Sequence, residues 1–86
     1  MTDDELIARH VELRPVRPWP AEARLVDSAV PIWSIIGYLK AMDWDVAEVA
    51  HEFDVPQEAI EAALAYYRRH QCFIDARLAE NAATLA

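Results

Sequence analysis

Eighty-six residues, 55% of them apolar, with a single glycine, describe one small folded domain rich in helix and exclude intrinsic disorder. Fifteen acidic residues against eight basic ones give a formal charge of -7, which weighs against strong non-specific attraction to nucleic-acid phosphates. The lone thiol, Cys72, excludes an internal disulfide, and without clustered Cys or His it builds no zinc centre.

A chain this short buries only about two-thirds or less of its unfolded surface, so a homodimer or another partner is expected. Thr2 and Glu5 have the spacing of a capping box, and Leu6, Ile7, His10 and Val11 then line one side of a short helix that ends before Pro15. Residues 1–20 contain no long apolar stretch behind a basic leader, so neither a signal peptide nor a membrane span is expected and the chain reads as cytoplasmic.

Residues 14–22, RPVRPWPAE, carry three prolines, which remove backbone donors and favour extended geometry. Arg9, Arg14, Arg17 and Arg24 face only Glu12 and Glu22 in this stretch, so it is locally basic. Such an arm can lie along phosphates or reach into a minor groove. Its arginines can equally pair with the domain's own carboxylates while Trp19 packs the arm on the core. Residues 1–22 are therefore read as an N-terminal helix and proline-rich basic arm, and residues 23–86 as the core.

Leu25–Val26 and Val30–Trp33 are short apolar runs separated by Asp27, Ser28 and Ala29, a pattern that predicts a minimal β-hairpin or β-bridge with Pro31 on its edge. Two strands alone are marginal in water, so a second copy is expected to complete the sheet. From Ser34 the period becomes helical, with Ile32, Ile35, Ile36, Leu39 and Met42 on one side. Gly37 in that helix costs about 1 kcal/mol relative to alanine, a cost that points to close packing there.

Val46, Val49, Ala50 and Phe53 form one helical stripe and Ile60, Ala63, Leu64 and Tyr67 another, on either side of the break Asp54–Val55–Pro56. Asp45 and Glu48 have the spacing of a second capping box at the start of the first, and Val55 and Ile60 can staple the second, which runs to about His70. This is a helix–turn–helix written in periodicity. In such a unit the first residues of the second helix face the base edges, and here they are Gln57, Glu58 and Glu61. Acids in a first helical turn are explained by the helix dipole more readily than by base readout.

The tail from Gln71 keeps a helical composition, with Phe73, Ile74, Leu78 and Leu85 on its apolar side and Asp75, Arg77 and Glu80 off it. Trp33, Tyr38, Trp44, Tyr66 and Tyr67 cannot share one face, so at least one is expected at the surface. His10, His51 and His70 are scattered, His70 and Cys72 diverge on a helix, and one glycine cannot build a phosphate loop. No enzyme, cofactor or metal site is expected.

The segments VPIWSIIGYL, DVAEVAHEFDVPQEAIEAALAYYRRH and IDARL, within Ala23 to Asn81, resemble the domain of unknown function 433 family. That resemblance implies a VapB-like antitoxin with a helix–turn–helix core, encoded beside a PIN-like ribonuclease that it neutralises and able to repress its own promoter. Asp27–Ser28 and Met42–Asp43–Trp44 depart from the family's glycine-containing turns. The expected fold is mainly all-α, a small helix–turn–helix domain with a short β-hairpin before the core helices. The expected function is antitoxin-like binding of a PIN-like toxin, the alternative being a stand-alone DNA-binding regulator. Phe73, Ile74, Asp75, Leu78 and Glu80 are the candidate partner-binding residues, on a tail separable from a core that folds without it. Arg14, Arg17, Arg24 and Gln57 are the candidate contacts to operator DNA.

Overall fold

The structure, a computed structural model, describes the backbone of residues 2–14 and 19–85 and the side chains of residues 2–14 and 19–81. Helix α1 is Asp3–His10, and its capping box is formed as expected: the Thr2 hydroxyl accepts from the Glu5 N–H, and the Thr2 N–H donates to the Glu5 carboxylate. The chain then enters β1, Val11–Glu12, whose antiparallel partner is β2, Arg24–Leu25, with Val11 opposite Leu25 and Glu12 opposite Arg24. Between the strands, a 3-10 turn covers Pro20–Glu22.

The expected bridge to the Val30–Trp33 run is also present. Arg24 pairs with Pro31, and the Leu25 N–H donates to the Val30 carbonyl at 2.9 Å. It extends no further because Ile32 already begins α2, Ile32–Ala41. The small sheet is thus completed by Val11–Glu12 of the same chain, which removes the incomplete sheet as a reason for a second copy at residues 23–33. Ala29 closes the turn at φ 58°, the left-handed region that costs a side-chain-bearing residue roughly 1–2 kcal/mol. Against glycine's greater unfolded-state entropy, Ala29→Gly is expected to raise stability by about 0.5–1 kcal/mol in urea unfolding.

Ile32, Ile35, Ile36 and Leu39 are fully buried at helical spacing along α2. Gly37 lies where a Cβ would stand 3.2 Å from Leu78 Cδ2, the close packing its presence predicts. After α2 the chain reverses through Asp43 and Trp44, both at positive φ, and the Trp44 N–H returns to the Leu39 carbonyl at 2.6 Å. Asp45 then caps α3, Val46–Phe53, by accepting from the Glu48 N–H at 3.1 Å. The α3 helix ends on a left-handed Asp54, with the Val55 N–H bonded to the Ala50 carbonyl, so its last turn is satisfied without glycine.

Helix α4, Gln57–Arg69, is the axis of the domain. Ala59, Ile60, Ala62, Ala63, Ala65, Tyr66 and Tyr67 are all buried, so most of its circumference is covered, and its four buried alanines let α1, α2 and α3 approach closely. Helix α5, Gln71–Leu85, packs on α2 and buries Ile74 completely. The result is a mainly helical domain with a two-stranded sheet, and α3 and α4 form its helix–turn–helix. Among the described residues no helix is long and apolar enough to cross a membrane.

Candidate protein-binding surface

Charge is distributed very unevenly over this fold. Every lysine and arginine among the described residues has a carboxylate within 4.0 Å: Arg9 with Glu58, Arg14 with Glu22, Arg24 with Glu12 and Lys40 with Asp75. Arg68 meets Asp3, Arg69 meets Asp4 and Arg77 meets Glu80. No lysine or arginine occurs from residue 41 to residue 67. Asp43, Asp45, Glu48, Glu52, Asp54 and Glu61 are all exposed in that span, and none makes an ion pair among the described residues. The helix–turn–helix therefore carries nearly all of the acidic surplus on its outer surface.

One histidine braces the start of α4. His10, at the end of α1, is almost wholly buried, with Nδ1 2.7 Å from Asp27 Oδ2 and Nε2 2.6 Å from Glu58 Oε2. Burial alone would lower its pKa, but the hydrogen bonds and charges of Glu58 and Asp27 outweigh it and hold the imidazole above its ordinary value of 6.5. Glu58 is held below its ordinary value chiefly by the hydrogen bond from His10, with Arg9 adding to it. Both ring nitrogens are occupied by carboxylates, so His10 is a cross-brace between α1, the turn after β2 and the first turn of α4. Sequence periodicity places His10 on the inner face of α1. Its partners, 17 and 48 residues away, leave no local signal.

The candidate DNA contacts fall as follows. Arg24 Nε donates to Glu12 Oε1 at 2.7 Å across the β1–β2 ladder, and Arg14 stands 4.0 Å from Glu22. Arg17 lies outside the described residues. Gln57 is exposed at the start of α4, but its neighbour Glu58 is tied to α1 and the next exposed side chain on that stripe is Glu61. Arg14 and Arg24 thus pair with the domain's own carboxylates.

The candidate partner-binding residues of α5 divide between surface and core. Phe73 is 57% exposed and, with Glu80, lines a cleft of about 620 Å³ whose other wall is Trp19, itself 61% exposed, and Ala21. Leu78 lies over Gly37 and lines a second groove between α2 and α5. Ile74, expected at the partner surface, is instead a core residue, fully buried on the inner face of α5. Asp75 accepts from the Tyr67 hydroxyl at 2.7 Å and from Lys40 at 3.3 Å, so it fastens α5 to α4 and α2. Of the five aromatics that could not share one face, Tyr66 and Tyr67 are buried, while Tyr38 and Trp44 reach the surface.

No curated protein and no solved structure matches this chain. The matched family segment begins within the 3-10 turn and ends near the end of α4, so it takes in β2, α2 and the helix–turn–helix but not α1 or α5. That segment, residues 22–67, is more than half of the chain, and the protein belongs to the family described as protein of unknown function (DUF433).

Proposed function

We propose that this protein is a cytoplasmic, antitoxin-like binding protein that covers a basic surface of a partner protein, and that the partner is the PIN-like ribonuclease implied by the family resemblance. The observation that carries this reading is the charge partition. Six exposed carboxylates lie between residues 43 and 61 with no lysine or arginine among them, while the basic residues described elsewhere are paired within the chain. An acidic face of this kind repels phosphates and attracts a basic protein surface, giving fast association and choice of partner. Exposed Trp19, Phe73, Tyr38 and Trp44 add the aromatic anchors on which binding energy concentrates. The stand-alone DNA-binding regulator is less favoured, since the carboxylate of Glu61, exposed beside Gln57 at the start of α4, would have to enter the groove.

The test is titration calorimetry of the purified protein against the ribonuclease encoded by the neighbouring reading frame. Stoichiometric binding that weakens with added salt is the expected result. Failure to bind that protein, together with retardation of the protein's own promoter fragment at low salt, would overturn the reading. Phe73→Ala is expected to weaken binding about tenfold without changing the melting temperature, because the ring is mostly in solvent before the partner arrives.

A further inference from the structure

The groove between α2 and α5 encloses about 360 Å³ and is walled by Trp33, Gly37, Tyr38 and Met42 on one side and by Leu78 and Asn81 on the other. Its depth comes from Gly37, where any side chain would meet Leu78. At one end the Arg77 guanidinium covers Trp33, 5.1 Å from the ring centre. At the other, Tyr38 is 46% exposed and meets Phe53 of α3 edge-on at 5.0 Å, so the groove opens toward the acidic helix–turn–helix. Met42 leads directly into Asp43, Trp44 and Asp45, and Phe53 stands between Glu52 and Asp54. An apolar groove thus ends next to chain segments whose carboxylates have no basic partner among the described residues.

The geometry points to this groove as the docking site for a basic amphipathic helix of the partner protein. The inference rests on the proposed partner-binding function and names the surface and the chemistry of what it takes. Apolar side chains at i, i+3 or i+4 and i+7 of the incoming helix span about 10 Å, which fits alongside the ten residues of α2. Lysine or arginine on the flanks of that helix would lie against Asp43, Asp45 and Glu52. A second copy of this chain is the poorer occupant, because it would bring a formal charge of -7 up to the same acidic rim.

The experiment uses the full chain, uniformly 15N-labelled, and a short synthetic helix with leucine at those positions and lysine elsewhere, with a control helix carrying glutamate in place of lysine. The lysine helix is expected to shift the amides of Gly37, Tyr38, Met42 and Leu78 and to bind at least about tenfold more tightly than the control. Filling the groove by Ser34→Trp or, from the opposite wall, by Asn81→Trp should weaken binding about tenfold with the melting temperature retained. Shifts confined to the Trp19 and Phe73 cleft, equal binding of both helices, or unchanged affinity in both filled variants would overturn the assignment. The two filled variants are then titrated against the neighbouring ribonuclease. If wild type binds it and both variants bind equally well, the groove assignment fails and the binding function stands. If wild type does not bind it, the function fails, and the labelled-helix mapping decides the groove independently.

Discussion

Truncation after His70 is expected to leave a chain that no longer unfolds cooperatively. The sequence suggests a detachable tail, since Phe73, Ile74 and Leu78 read as a stripe for a partner, but Ile74 is fully buried in the shared core and Leu78 lies on Gly37. Losing α5 also strips Asp75 from the Tyr67 hydroxyl and from Lys40. Ile74→Ala alone should cost about 3 kcal/mol, the mid-range for emptying a fully buried aliphatic site. A domain of this size has a total stability nearer the lower end of the usual range, about 5 kcal/mol, so loss of the whole helix exceeds what the rest can supply. Circular dichroism on the truncated chain should show a broad, low-amplitude melt. A sharp melt near the wild-type midpoint would show that α5 is not part of the core. Surface and core roles of α5 are separated by comparing Phe73→Ala, which should melt like wild type, with Ile74→Ala, which should not.

Replacing His10 by alanine should destabilise the protein by about 2–3 kcal/mol at mildly acidic pH, and by less at alkaline pH. The figure is that of two hydrogen bonds to charged groups, reduced because Asp27 and Glu58 are partly in solvent. The pH dependence follows from the directions of the shifts. His10 is raised above 6.5 in the folded state, so its contribution is complete below 6.5 and is lost as pH rises through the raised value. Glu58 is lowered below 4.5, so its contribution is present above 4.5 and is lost as pH falls through the lowered value. The brace is strongest between 4.5 and 6.5, and wild-type stability should decline on the alkaline side of that window. His10→Ala should remove most of that decline. An alanine variant with the same alkaline slope as wild type would rule out the brace as its source.

Local rules made much of this fold legible. The Thr2–Glu5 box and the Asp45 cap each stand at a helix start, because a cap is a contact between residues three apart and is visible in any sequence that contains it. The α2, α3 and α4 stripes follow from one period, and Gly37 signalled a close approach that Leu78 supplies. Contacts joining residues far apart were not legible. Nothing near His10 specifies Asp27 or Glu58, and nothing near Val11 specifies Leu25, since a two-residue strand has no periodicity of its own. Ile74 reads as partner-facing for a related reason: an amphipathic stripe shows that a face is covered, not whether its own core or another protein covers it. The left-handed turns at Ala29, Asp43 and Trp44 carry no glycine to mark them, and there tertiary packing holds side-chain-bearing residues in a conformation glycine would adopt more cheaply.

The surface is read through charge, and a charge experiment tests it most directly. Asp45 is left in place as the α3 cap, and Glu48, Glu52 and Glu61, each exposed and without an ion pair among the described residues, are replaced together by lysine. Inhibition of the proposed PIN-like ribonuclease partner is then titrated alongside wild type, with thermal unfolding and promoter-fragment retardation measured on the same preparations. The wild type is expected to inhibit stoichiometrically, and the triple variant to require at least about tenfold more protein while keeping its melt. Inhibition unchanged by the reversal, or a ribonuclease untouched by wild type while the promoter fragment is retarded, would contradict the account.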